Sequence, residues 1–150
     1  RGGKMITLYN RQRKVQFGLE WLEALAPIAL EMVLAHPPGP GYPVLPELEE
    51  IEVTFVSDRT IAKVHRDFMN IPGATDVITF AHGEIIISTE TARENAGLYG
   101  RSLDEELARY LVHGLLHLNG YEDETPEQAT QMHRAQEEIL AASIARNGVK

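Results

Sequence analysis

Residues 102–120 are the most restrictive stretch of this chain. Ser102-Leu103-Asp104-Glu105 has the form of a capping box, Leu107, Leu111, Leu115 and Leu118 recur at helical spacing, and Asn119-Gly120 closes the run. Such a segment folds as a helix whose apolar stripe needs a core to pack on. Two histidines, His113 and His117, lie four residues apart within it, so both imidazoles leave one face of the helix, one turn apart. Unpaired polar groups are costly on an apolar helix, so the pair calls for a partner. Gly120 lets the chain turn back, and Asp123 three residues further on can supply an oxygen ligand. The resulting pattern, His-x3-His-x2-Gly-x2-Asp, offers three ligands and leaves one position open, the usual arrangement of a catalytic zinc site. In a chain with six histidines the pair alone is a weak signal, and the glycine and the acid at matching offsets strengthen it.

The rest of the chain supplies a sheet and further helices. Met5–Tyr9 reads as a strand, and Phe17 to Val33 as a helix that Pro27 could kink. A Pro/Gly-rich loop follows at 36–43. Ile51, Val53 and Phe55 alternate with Glu52 and Thr54, as in a half-buried strand, and Asp58 can cap the helix after it. Thr75–Phe80 and Glu84–Ser88 form a hairpin through Ala81-His82-Gly83, and a short helix covers Thr89–Ala96, ending at Gly97. Thr125-Pro126-Glu127-Gln128 opens a last helix that runs to about Arg146. This order predicts an α+β fold, a small mixed four-stranded sheet packed against helices, with the metal site on a helix of the C-terminal half. The length of 150 residues favours one domain, with Arg1–Lys4 ahead of Met5 read as an expression remnant outside the fold.

Composition narrows the chemistry. The chain has no cysteine, so disulfides and thiolate sites are excluded and any metal is held by His, Asp or Glu. Lack of cysteine fits a reducing cytoplasm. No stretch is apolar for the roughly 18 residues of a membrane span, and the first residues lack a signal-peptide pattern. A formal net charge of −8 argues against nonspecific coating of nucleic acid, although a local basic face could bind RNA. Arg59, Lys63 and Arg66 fall on one face of the second predicted helix and offer such a stripe, with a solvated face as the equal alternative. His82 in the hairpin turn is a candidate acid or phosphate donor, against the commoner reading of an exposed turn histidine. Glu106 could hydrogen-bond a ligand imidazole, or simply be an acid favoured in a first helical turn. Asp76 is read as pinning a strand or loop.

The ligand spacing is similar to the long zincin motif, His-Glu-x-x-His-x-x-Gly-x-x-His. Those peptidases keep their general-base Glu directly after the first His, where this chain has Gly114. His113-Gly114-Leu115-Leu116-His117-Leu118-Asn119-Gly120-Tyr121 closely resembles the YbeY signature His-Gly-x-Leu-His-Leu-x-Gly-Tyr-Asp-His. Thr75-Asp76-Val77-Ile78-Thr79-Phe80 resembles that family's Thr-Asp-Val-Leu-Ser-Phe strand, and Gly83-Glu84-Ile85 its Gly-Asp-Ile. The resemblance covers about Ile51 to Leu140. It implies a zincin-like α+β fold and a zinc-dependent endoribonuclease that matures ribosomal RNA. Precursor ribosomal RNA would be the partner, together with ribosomal subunit proteins, with neither DNA nor membrane involved.

The chain departs from the family pattern twice. Asp123 stands where the family has its third histidine, which makes the site harder and one charge more negative, and should favour other divalent ions over zinc more than three histidines would. Met69 stands where an ungapped alignment from Thr75 puts a phosphate-holding arginine, and Arg66, one helical turn earlier, is the candidate substitute. Two alternatives stay open: a zincin-type metallopeptidase, against which Gly114 argues, and a ribosome-associated factor with a structural metal, which the acidic charge and the missing arginine favour slightly.

Overall fold

A computed structural model describes residues 4–148. Arg1–Gly3, most of the segment read as a remnant, lie outside the described residues, as do Val149 and Lys150. The elements are β1 (Met5–Asn10), α1 (Leu19–Ala35), a short 3-10 turn (Leu45–Glu47), β2 (Glu50–Val56), α2 (Asp58–Met69), β3 (Val77–Phe80), β4 (Glu84–Ser88), α3 (Thr89–Tyr99), α4 (Leu103–Leu118) and α5 (Pro126–Asn147). They build the expected mixed sheet against helices. The strand order is β1-β2-β4-β3. β1, β2 and β4 run parallel, with Leu8 opposite Val53 and Val53 opposite Ile85. β3 is antiparallel to β4, with Ile78 opposite Ile86.

The sheet is covered on both faces, and this changes the reading of β2. Ile51, Val53 and Phe55 join α1, α4 and α5 in the main core, while Val56 joins Ile61 of α2, Ile78 and Ile86 in a second cluster. A strand paired on both edges and covered on both faces is buried along most of its length, so β2 is not the half-buried strand its alternation suggested. Lys4 belongs to the fold and not to a remnant ahead of it, since its ammonium donates to the carbonyl oxygens of Pro46 at 2.8 Å and Leu48 at 2.5 Å.

Local chemistry corrects several boundaries. Ser57 caps α2, its hydroxyl accepting from the Thr60 amide at 3.2 Å. Asp58 instead accepts from the hydroxyls of Ser88 at 2.5 Å and Thr91 at 2.6 Å, which ties α2 to α3. β3 begins at Val77 because the Asp76 carboxylate takes the Val77 amide at 2.7 Å, the pinning role read for it. α3 continues through Gly97 and stops at Gly100, where φ is +64° and glycine carries no penalty. At α4, Ser102 caps the Glu105 amide at 3.1 Å, but the Glu105 carboxylate turns to Arg109, so the reciprocal half of that box is missing. The box at Thr125 and Gln128 is complete. Pro27 lies inside α1 with its ring exposed, and the helix runs through it.

Gly114 sets how closely α4 approaches the sheet. A Cβ there would meet three atoms of the buried Ile85 side chain at 2.8, 2.9 and 3.0 Å. Alanine gains about 1 kcal/mol in helix propensity, while overpacking costs roughly 1–3 kcal/mol. Gly114→Ala is therefore expected to be neutral to about 2 kcal/mol destabilising, and Gly114→Leu clearly worse. Urea denaturation of the three proteins checks this order, and a leucine variant as stable as the wild type would contradict it.

Candidate metal centre

The last two turns of α4 carry His113 and His117, with ring centroids 4.6 Å apart and ring planes at 86°. The turn after Gly120 returns Asp123 to the same point. Its Oδ2 lies 3.9 Å from Nε2 of His113 and 3.7 Å from Nε2 of His117. One ligand atom from each residue falls within 4.8 Å of the other two. Tetrahedral bonds to zinc of about 2.0–2.1 Å separate neighbouring ligand atoms by ~3.3–3.5 Å, so the three need to close by between a few tenths of an ångström and about 1.5 Å. The group can hold a metal ion.

Hydrogen bonds at the far side of each imidazole orient the two rings. Nδ1 of His117 lies 2.9 Å from the Tyr121 carbonyl oxygen, and Nδ1 of His113 lies 2.7 Å from Oε1 of Gln136. With Nδ1 donating to these oxygens, both Nε2 lone pairs face the cluster. Burial, followed by the neighbouring His117, holds the His113 imidazole below its ordinary pKa and so favours the neutral form that a metal needs.

The Pro/Gly-rich loop at 36–43 braces this turn. Gly39 and Gly41 donate backbone hydrogen bonds to the carbonyls of Asn119 at 3.1 Å and Gly120 at 2.7 Å. A Cβ on Gly39 would sit 2.6 Å from Gly120 O and Tyr121 Cα, and one on Gly120 would sit 2.7 Å from Gly41 O. Gly120 also has φ +92°, so the seam needs glycine for both space and conformation. The Tyr121 hydroxyl donates to Pro37 O at 2.9 Å, which anchors the residue whose carbonyl orients His117.

Two hollows flank the cluster. One, about 370 Å³, is walled by His113, Asp123, Asp76, Tyr110, His133 and Gln136. The other, about 390 Å³, is walled by His117, Tyr42, His65, Met69, Thr75 and Thr79. Val77 of β3 belongs to both, so together they run past the cluster along the strand at the edge of the sheet.

The other candidates sit elsewhere. Arg66 is 61% exposed, paired with Asp67, and lines neither hollow. His82 is 70% exposed, 3.1 Å from Glu84 and stacked on Phe80, and also lines neither. Glu106 makes no bond to a ligand imidazole. It is buried against Arg109, at 2.5 Å, with Arg101 at 3.4 Å, because those guanidiniums outcompete a neutral ring for its carboxylate. Sequence reasoning missed Gln136 and the Tyr121 carbonyl. Gln136 did carry a signal, as a polar residue inside the buried α5 stripe of Met132, Ala135, Ile139 and Leu140.

A family model described as Endoribonuclease YbeY matches residues 7–143. An endoribonuclease YbeY of Chlorobaculum parvum is 34% identical over 125 residues, covering 79% of this chain and 84% of that protein. One of Myxococcus xanthus is 38% identical over 104 residues, covering 61% of this chain and only 35% of that longer protein. The solution structure of a Thermotoga maritima protein, 23% identical, shares the fold with a TM-score of 0.67 over 95% of this chain and 91% of that one. The motifs around the two histidines, the family match along nearly the whole chain and the relatives agree: this chain belongs to the endoribonuclease YbeY family.

Proposed function

We propose that this chain is a zinc-dependent endoribonuclease that cuts phosphodiester bonds of single-stranded RNA during ribosomal RNA processing. His113, His117 and Asp123 are its metal ligands, within one zincin-like domain. The observation that carries this reading is the convergence of two Nε2 atoms and a carboxylate oxygen between two surface hollows. When bound, a divalent ion supplies Lewis-acid activation of water and of a phosphoryl oxygen. The chain's own residues hold that chemistry in place. Gln136 and Tyr121 keep the ligand rings oriented, and the β3 edge gives a strand a path past the cluster. Exposed Tyr42 and Met69 at the His117 end offer apolar surface to unstacked bases, which suits a chain too acidic to rely on phosphate contacts alone. We read any contact by Arg66 or His82 as one to the flanks of a bound strand. Asp123 leaves the identity of the ion open to competition from harder divalent metals.

The peptidase alternative needs a general base beside His113. Position 114 instead faces Ile85 in the sheet, and a glutamate there would enter the core. Ribosomal subunit proteins are proposed as neighbours of the substrate and the cytoplasm as the site of action. Among the described residues no helix is long and apolar enough to cross a membrane. The test is cleavage of an end-labelled single-stranded RNA by purified protein with and without chelator. Internal cuts that disappear with chelator and return with zinc are the expected result. Undiminished cutting after chelation would overturn metal dependence, and metal-loaded protein that leaves RNA intact would favour the structural-metal alternative.

A further inference from the structure

A neutral imidazole carries one proton on either ring nitrogen, and only the bare nitrogen binds a metal. For His117 the choice is made by backbone, since the Tyr121 carbonyl can only accept and Nδ1 must donate. His113 faces a side-chain amide, which can turn either its oxygen or its NH2 toward the ring. With NH2 forward, Nδ1 becomes the acceptor, the proton moves to Nε2, and an N–H points at Asp123 where a cation should sit.

A chain of one-way partners prevents this. The Gln136 NH2 donates to Oε2 of Glu137 at 3.0 Å, and an ionised carboxylate can only accept. Turning the amide over would set its oxygen against that carboxylate. Glu137 is kept ionised by Arg109, which holds it through Nε at 2.8 Å and Nη2 at 3.1 Å. Arg109 is itself fixed by the buried Glu106 at 2.5 Å. Each group leaves the next a single role, from a permanent charge on α4, through α5, back to a ring on α4.

We infer that Gln136 is a positioning residue, held in one amide orientation by the Arg109–Glu137 pair, that fixes His113 in the tautomer with Nε2 free for metal. The inference rests on the metal-centre reading for its purpose and on the hydrogen-bond directions for its content. It gives the two histidines different supports. The His117 tautomer depends on a main-chain group that no substitution removes, whereas the His113 tautomer depends on side chains.

The experiment uses the full chain and three variants, Gln136→Leu, Gln136→Glu and Glu137→Gln. Nitrogen-15 NMR of the metal-free proteins, at a pH where the rings are neutral, reads the tautomer of His113. Competition with a chromogenic chelator reads zinc affinity. Wild type should show the His113 proton on Nδ1. Gln136→Leu keeps the volume of a buried side chain but removes the acceptor, and should give mixed tautomers and zinc binding weaker by about 10–100-fold. Gln136→Glu retains an acceptor for Nδ1 and, with a proton shared between its second oxygen and Glu137 where the amide NH2 stood, should keep the wild-type tautomer. Glu137→Gln frees the amide to turn and should mix the tautomers with Gln136 still present. A merely structural role for Gln136 would move none of the tautomer signals. A wild-type His113 protonated on Nε2, or a Gln136→Leu protein with wild-type tautomer and affinity, would overturn the inference. A wild type that takes up no zinc would sink the metal-centre reading, while the NMR arm, made without metal, still decides the role of Gln136.

Discussion

His117→Ala is expected to reduce bound zinc from about one ion per chain to background and to abolish metal-dependent RNA cleavage. Only His113 and Asp123 would remain, and two ligands from an open surface do not hold a catalytic ion. A bound metal contributes several kcal/mol of transition-state stabilisation, so the loss of rate should be on the order of a thousandfold or more. The fold should survive, because His117 lies at the partly exposed end of α4 and its ring bonds only to the turn beside it. Metal analysis after gel filtration, with circular dichroism as the folding control, makes the comparison, and equal zinc in both proteins would be decisive against the site. In the wild type, His113 should stay available to zinc through pH 7. Burial and His117 keep the His113 pKa below the ordinary imidazole value, so protons compete for this ring only below about 6.5. The same shift has a cost for the metal-free fold. As pH falls through about 6.5 the unfolded chain takes up the proton first, and stability declines.

Arg109→Ala should be among the most destabilising single changes in this protein. Arg109 is 7% exposed and serves Glu106, Glu137 and Glu105. Burial works against its charge, but Glu137 and Glu106 outweigh that penalty and hold the guanidinium protonated. Truncation leaves Glu106, 3% exposed, with only the more distant Arg101 for company. Breaking a buried ion pair in this way costs about 3–5 kcal/mol. For a chain of this length that corresponds to a fall in Tm of roughly 6–20 °C. A double variant, Arg109→Leu with Glu106→Leu, removes both buried charges and should recover much of the loss. Thermal melts of the three proteins check both statements, and an Arg109→Ala protein within about 1 kcal/mol of wild type would refute the first.

The parts of the site legible in the sequence were those set by short spacing. His113, His117 and Asp123 are joined by one helix and one turn, so their offsets alone predicted a shared point. The supports were not legible, because Gln136 reaches His113 only once α5 has packed on α4. Glu106 shows the same limit from the other side. It lies two turns before His113 on a similar face, and only the packed structure shows Arg109 and Arg101 taking its carboxylate. The hairpin of β3 and β4 followed from a local turn, but the parallel pairing of β1, β2 and β4 depends on contacts between distant segments. Ser57 and Asp58 are adjacent and both able to cap, and the choice between them was made by Ser88 and Thr91, some thirty residues away.

The glycine seam between the 36–43 loop and the turn at 119–121 also bears on the order in which the molecule assembles. α4 can form early from local contacts, bringing His113 and His117 into register on their own. The third ligand becomes fixed only when a segment some eighty residues upstream has docked its backbone against the turn. Contacts of that sequence separation form late, since the loop between them must close first. In the proposed metal centre, capture of an ion would therefore be among the last events of folding, and would report that the two halves of the chain have met.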